Sequence, residues 1–274
     1  MSTLVCFHAH PDDESIATAG TMAKAKAGGH RVVLVVATRG EHGEPVPGAL
    51  ADGEQLGVRR TAETWASAEA LGIDRVEFLG YVDSGMVDTE TSREPWAFCN
   101  ADVDRAAGRL AVILGEEQAD VLTVYDDNGG YGHPDHIQVH RVGHRAAALV
   151  GLDQVYENTI NRTEIARLMA ERSESGGESP TGEGPPDLDA QPDFGKPEEV
   201  ITHQVDVRSW LDAKRRSMLA HRSQMADDHF LLAMPDAAFR SIMGTEWYIA
   251  SATPADAALA AELFEPVHPS AVDA

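Results

Sequence analysis

The sequence is poor in cysteine, poor in basic residues and free of long apolar runs, and each shortage excludes a class of protein. Cys6 and Cys99 are the two cysteines among 274 residues. A disulfide-stapled scaffold needs more of them, at tighter spacing. Cys6 lies in an apolar run and reads as a small buried hydrophobe. Neither has a partner at metal-ligand spacing, so a zinc site would draw on histidine and carboxylate. Lysine and arginine total 22 against 45 aspartates and glutamates, a formal net charge of −23. That balance excludes nucleic acid and an anionic membrane surface as main partners. It leaves room for a local basic pocket, with Arg59 and Arg60 as candidates. No apolar stretch approaches the ~18–20 residues of a membrane span. The opening Met-Ser-Thr-Leu-Val-Cys-Phe has no basic start and no long apolar core, so it does not read as a secretory signal. A cytoplasmic protein is the expectation. Two catalytic signatures are also missing. No Gly-x-Gly-x-x-Gly or phosphate loop follows the first strand-like run, and there is no Gly-x-Ser-x-Gly nucleophile elbow.

What is present alternates. Hydrophobic residues make up 43%, ordinary for a globular chain. Strand-like runs at residues 3–7, 31–37, 75–79 and 119–125 are interleaved with helix-like runs at 15–27, 54–71, 102–118 and 137–150. The run Val-Val-Leu-Val-Val at 32–36 reads as a strand buried on both faces. This rhythm predicts an α/β fold with a mainly parallel sheet and helices on both faces. In such a sheet the site lies beyond the carboxyl ends of the strands. Residues 173–199 are dense in Gly, Pro, Ser and acid and nearly lack aliphatics, so they read as a flexible insertion. A strand at 200–205, a helix at 209–224 and a strand at 247–250 follow, then a frayed tail at 266–274. The expected organisation is a core over 1–172, the acidic insertion at 173–199, and a part over 200–274 that completes the same domain.

Two segments carry chemistry. His8-Ala9-His10-Pro11-Asp12-Asp13-Glu14 follows the first strand, and Tyr125 to His136, ending His133-Pro134-Asp135-His136, follows the 119–125 strand. Neither has the apolar pattern of a core element. Proline after His10 and after His133 stiffens each turn and suits helix entry. A catalytic zinc takes about three protein ligands and keeps one position open. His10, Asp13 and His136 supply such a set, and Asp12 then stands as a general base. The plainer alternative is that Asp12, Asp13 or Ser15 caps the following helix. His8 reads as structural. His136, His140 and His144 recur every four residues along one helical face, but no Glu follows His136 as the zincin pattern requires, so His140 and His144 read as packing or surface residues.

These two motifs resemble the PIG-L/LmbE-like zinc-dependent N-deacetylases. The string Tyr125 to His136, with Asn128-Gly129-Gly130-Tyr131-Gly132, is most similar to the actinobacterial branch of mycothiol-biosynthesis deacetylases and mycothiol S-conjugate amidases. The resemblance covers residues 3–150. It implies a Rossmann-like fold, a Zn2+ ion (or another divalent metal such as Fe2+), and hydrolysis of an acyl group, acetyl above all, from the nitrogen of an amino-sugar-like small molecule. A thiol-conjugate amide is the alternative substrate, and an inactive metal-dependent binding protein the alternative of another class. The resemblance matches His10, Asp13 and His136 to the family's metal ligands and Asp12 to its base. It matches His133 to a histidine that stabilises the tetrahedral intermediate or donates a proton, Asp135 to the residue orienting that histidine, and Tyr131 to a mobile tyrosine near the metal. Arg60, Asp83 and Glu44 fall on substrate-binding positions by shorter local matches. The segment with Lys214-Arg215-Arg216 and His221 looks like a family feature that packs near the site.

Overall fold

The computed structural model describes residues 1–174, 188, 191, 194–251 and 263. The first half contains β1 (Thr3–His8), α1 (Asp13–Ala17), α2 (Ala19–Ala27), β2 (Arg31–Val36), α3 (Leu56–Leu71), β3 (Arg75–Phe78), α4 (Val103–Glu116) and β4 (Val121–Tyr125). There follow the short turn α5 (Gly129–Gly132), α6 (Pro134–Val150), β5 (Val155–Thr159), α7 (Arg162–Glu174), β6 (His203–Asp206), α8 (Leu211–Ala220), α9 (Asp236–Met243) and β7 (Thr245–Ala250). The seven strands form one sheet in the order β3-β2-β1-β4-β5-β7-β6. Strands β1 to β5 pair in parallel, and β7 runs antiparallel to both β5 and β6. The α/β fold with a mainly parallel sheet is as expected, and the strands beyond residue 200 join the same sheet.

Apolar residues on both sides of β1 and β2 explain why helices cover both faces. Val5, Phe7, Val33 and Val35 pack under Leu110 of α4 and Val139 and Val142 of α6. Leu4, Cys6 and Val32 face the other way, against Met22 and Ala23 of α2 and Tyr156 and Tyr248. Leu34 and Val36 meet Ala68 of α3. Burying each such side chain is worth roughly 1.5–3 kcal/mol. Successive strands β1, β2, β3 run outward to one side, and β4 then returns to the other side of β1. The crevice where the order reverses lies between the carboxyl ends of β1 and β4. Both motifs emerge there.

Several elements differ from expectation. The helix at 15–27 is broken at Thr18, whose hydroxyl bonds to His8 Nε2 at 2.8 Å. The helix at 209–224 stops at Ala220 because the following His221 turns its ring onto buried Glu14, 2.6 Å away. The strand at 200–205 starts later, at His203. Strand β5 and helices α7 and α9 had no counterpart. Glu157 and Asn158 are poor strand formers, and parallel pairing to β4 overrides that preference. The flexible stretch expected at 173–199 lies largely outside the described residues, as does the tail at 266–274. Where the chain is described again, Gly195 N–H donates to Gly130 O at 2.7 Å and Lys196 bonds to Asp127. No helix among the described residues is long and apolar enough to cross a membrane.

At the end of the sheet opposite the motifs, Glu117 closes α4 onto the starts of β2 and β3. Its carboxylate accepts from Arg31, and from Arg75 Nη1 at 2.8 Å. The Arg31 hydrogen bond, with Arg75 adding to it against burial, holds the carboxyl down at about 2. A depressed carboxyl stabilises the fold above its ordinary value and loses that contribution as pH falls through the folded value. Glu117→Gln is expected to cost about 1–2 kcal/mol at neutral pH. The difference from the parent should shrink as pH falls from about 4.5 toward 2, as read by urea unfolding across that range.

Candidate active site

The first loop is built around a strained residue. His8 ends β1 and is buried between Tyr125 Oη (2.9 Å) and Thr18, the structural role expected of it. Asp12 has φ 93°, a left-handed conformation that costs a non-glycine residue on the order of 1–3 kcal/mol. Its side chain makes no cap to α1. The carboxylate instead meets Arg60 of α3, 3.1 Å from Nη2. Arg60 is itself buried, and donates to Gly40 O at 2.9 Å and to Pro11 O. Gly40 has φ 68°, and a Cβ there would sit 2.1 Å from Arg60 Nη1. A glycine is therefore required for the arginine to reach the loop.

The second loop turns on Asp126, whose Oδ1 accepts from Asn128 N (3.0 Å) and Gly130 N (2.9 Å). Gly129 has φ 66°, and its added Cβ would lie 2.6 Å from that of His136. This close approach lets the Gly129 carbonyl accept from His136 Nδ1 at 3.1 Å. His133 is the N-cap of α6, its Nδ1 accepting from Asp135 N at 3.2 Å, with Pro134 in the first turn. These two contacts set opposite tautomers. His136 carries its proton on Nδ1 and leaves Nε2 bare, while His133 uses its Nδ1 lone pair and keeps a proton on Nε2.

The loops bring together most of the expected residues. His10 Nδ1 stands 3.3 Å from Asp13 Oδ2, and His136 Nε2 stands 3.4 Å from Asp13 Oδ1. The His10 and His133 rings lie 4.6 Å apart, and the His133 and His136 rings 4.9 Å apart. On its far side His10 Nε2 bonds to Asp135 Oδ2 at 3.2 Å and lies 3.4 Å from Asp83 Oδ1. Burial alone would lower His10, but hydrogen bonding to Asp13, Asp135 and Asp83 lifts it well above its ordinary value. Burial likewise raises Asp13, yet His136 and His10 drive it well below the carboxylate range. Burial raises Asp12, with Arg60 opposing. His133 is lowered to about 4 by burial and by His10 and His136.

Around His10, two donor groupings fit a metal ion, His10 with His133 and His136, and His10 with Asp83 and Asp135. The tautomers favour a different division. His136 Nε2 is buried without a hydrogen-bond partner, and its other nitrogen donates to a carbonyl, the usual arrangement behind a metal-ligating histidine. His10 differs, with carboxylates at both nitrogens; Asp135 and Asp83 hold Nε2, which leaves Nδ1, beside Asp13, as the nitrogen to ligate. His133 Nε2 bears a proton and offers no lone pair. Four carboxylates (Asp12, Asp13, Asp83 and Asp135) crowd this space, with the Arg60 guanidinium against Asp12, so a divalent ion that replaces the His10 proton fits the charge as well as the donors.

Other expected residues fall differently. Asp135 does not turn its carboxylate to His133. Ser84 takes hold of it, through its hydroxyl and through its N–H at 2.9 Å, and aims it at His10. Only the Asp135 backbone N–H reaches His133. Asp83 is buried with its carboxylate on His10, Gly85 N (2.8 Å) and His42 N (3.0 Å). Tyr131 stands half exposed at the rim, its ring 5.1 Å from that of His136. Glu44 is exposed and makes no hydrogen bond or ion pair to the cluster among the described residues. Sequence reasoning missed Ser84, which no pattern marks. It also missed the use of Glu14, whose buried carboxylate accepts from His221 (2.6 Å), Ser67 (2.5 Å) and Asp12 N (3.0 Å).

A family model described as PIG-L, GlcNAc-PI de-N-acetylase, matches residues 5–147. The chain is 41% identical over 259 residues to a 1D-myo-inositol 2-acetamido-2-deoxy-alpha-D-glucopyranoside deacetylase from Acidothermus cellulolyticus, covering 90% of this chain and 88% of that one. Among solved structures, an N,N'-diacetylchitobiose deacetylase from Pyrococcus horikoshii aligns over 90% of this chain and 82% of its own, at 22% identity and TM-score 0.57. A 4-carboxy-2-hydroxymuconate hydratase from Pseudomonas putida KT2440 aligns over 93% and 98%, at 17% identity and TM-score 0.60. The fold thus serves more than one chemistry. The chain belongs to the PIG-L family of de-N-acetylases. It is a hydrolase of an amide C–N bond.

Gly40→Ala tests how the Asp12 loop is held. A side chain there must displace Arg60 from Pro11 and Asp12. The variant is expected to keep the sheet, to lose about 1–3 kcal/mol of stability through strain at a positive φ, and to lose most amide hydrolysis. Thermal unfolding and rate, measured on one preparation, check both.

Proposed function

We propose that the chain is a zinc-dependent N-deacetylase of a small N-acetylated amino-sugar glycoside, of the inositol-linked glucosaminide type that its relatives are named for. The observation that carries this reading is the pair of opposed ring contacts, His136 with Nδ1 on the Gly129 carbonyl and Nε2 turned to Asp13, and His133 with Nδ1 on the Asp135 N–H. His10 through Nδ1, Asp13, and His136 through Nε2 would hold the ion, and Zn2+ suits this donor set of two imidazoles and one carboxylate. Bound there, the ion supplies a Lewis acid that brings a water's pKa down from 15.7 toward ~7. Asp12, kept basic by burial and aimed by Arg60, takes the water's proton as the oxygen attacks the acyl carbon. His133 donates its Nε2 proton in a hydrogen bond to the oxygen that gains charge, an interaction worth roughly 2.7–4 kcal/mol where measured elsewhere. The C–N bond then breaks, acetate forms, and the amine leaves with a proton from the site. Asp135 and Asp83 act through His10, fixing its ring and strengthening it as a donor. Arg60 acts through Asp12, since both its terminal nitrogens are already engaged. Tyr131 closes the rim beside the acyl group.

A cavity of about 430 Å³ opens beside Asp13, Tyr131 and His136. Its walls include Ile160, Leu168, Phe194, Phe230, Ile242 and Trp247. This apolar lining favours a second reading, an amide carrying an apolar group such as the S-substituent of a thiol conjugate.

Zinc content and hydrolysis rate, measured together, separate the roles. Asp12→Ala should keep its zinc and lose ~10²–10⁴-fold in rate. Asp13→Ala should lose zinc and recover part of its rate with excess metal. His133→Ala should keep zinc and lose ~10²–10³-fold. A His133→Ala variant without zinc, beside an Asp13→Ala variant with it, would reverse the assignment. For the substrate, released amine is measured over N-acetylglucosaminides with and without inositol and over thiol-conjugate amides. The inositol glycoside is expected to be hydrolysed fastest, and no amine from any member of the panel would sink the reading.

A further inference from the structure

Beyond the catalytic cluster, α6 carries two more histidines whose arrangement the deacetylase reaction does not use. His140 and His144 lie one and two turns past His136, at the i, i+4 spacing that puts both on one helix face. Their rings stand 4.5 Å apart, edge to face at 62°. Both converge on Glu157 of β5. Glu157 Oε1 lies 2.9 Å from His144 Nε2 and 3.8 Å from His140 Nδ1. One donor atom from each of the three residues lies within 4.8 Å of the other two.

We propose that His140, His144 and Glu157 form a second divalent-metal site, distinct from the catalytic one, that takes a borderline transition ion such as Zn2+ or Ni2+. The donor set is two imidazoles and one carboxylate, which suits those ions over Mg2+ or Ca2+. The supporting contacts are already in place. His140 Nδ1 donates to the carbonyl of Tyr125 at 3.1 Å, which leaves its Nε2 with a lone pair and fixes the ring from behind. The side chains of His140, His144 and Glu157 are 20%, 30% and 16% exposed. The carboxylate is therefore partly desolvated, while an ion and its remaining waters have a path in. A His144–Glu157 ion pair alone accounts for the 2.9 Å contact but not for a third ring, fixed by a carbonyl and edge to face with His144, that brings a donor atom within 4.8 Å of the other two. Three ligands of this exposure hold an ion more weakly than the buried cluster at His10. An ion here would clamp α6, which carries His133 and His136 at its start, onto β5.

The test is a titration of the metal-stripped full chain with Zn2+, and separately with Ni2+, against a chromophoric chelator. The parent is expected to bind two ions with unequal affinity. His144→Ala and Glu157→Gln should each weaken the second step by more than about 10-fold and leave the first step and the hydrolysis rate at one equivalent of zinc unchanged. His140→Gln, which still offers a donor to the Tyr125 carbonyl, should weaken the second step with the fold preserved by circular dichroism. His136→Ala should do the reverse, losing the tight step and keeping the weak one, so failure of the catalytic assignment remains separable. A parent that binds one ion only, or a second step that survives in the His144→Ala/Glu157→Gln double variant, overturns the proposal.

Discussion

The site depends on one contact above all, the grip of three carboxylates on His10. Asp13 faces one ring nitrogen, and Asp135 and Asp83 face the other. A buried charge is costly unless it is paired and hydrogen-bonded, so these residues constrain one another. Asp13 comes from the same loop, Asp83 from the loop after β3, and Asp135 from the first turn of α6. The contact therefore joins three segments at the carboxyl ends of β1, β3 and β4, and any one of them moving leaves an uncompensated charge. Ser84 secures the arrangement by holding Asp135, and Gly129 secures it by letting α6 approach close enough for His136 to share Asp13.

A second buried ion pair, between Glu14 and His221, carries that order outward. Glu14 takes the Asp12 backbone N–H on one oxygen and His221 on the other. Burial would raise Glu14 and lower His221, but each pushes the other toward its charged form. The strained Asp12 is thus tied to the end of α8. Deeper in, Lys214 of α8 meets Glu246 of β7 at 2.6 Å, and the same carboxylate accepts from Gly20 N and Thr21 N at the start of α2. The described part of the C-terminal segment supports the Asp12 loop through these contacts.

Much of this was legible in the sequence, for identifiable reasons. Strands β1, β2 and β4 are doubly buried and read as unbroken apolar runs, and their order placed both His-Pro-Asp motifs at strand ends. Strand β5 was not legible, because Glu157 and Asn158 break the apolar pattern and are held there by pairing to β4 and β7. The break at Thr18 depends on His8, ten residues away, which no local periodicity reports. Asp135 illustrates the limit within the site itself. Its neighbour in sequence is His133, but the fold turns its carboxylate to Ser84 and His10, which only the folded chain brings near. Glu44 lies in a run of polar residues after β2, where a short match cannot tell a loop that faces the pocket from one that faces water.

The central claim is that Asp13, and not His133, completes the metal-binding set with His10 and His136. Diffraction from crystals of the zinc-loaded chain, with anomalous data at the zinc edge, tests it most directly. The account predicts a peak about 2.0–2.2 Å from His10 Nδ1, an Asp13 oxygen and His136 Nε2, with His133 Nε2 beyond bonding distance and turned toward the open position. A peak bonded to His133 in place of Asp13, or no peak at this cluster, would contradict it.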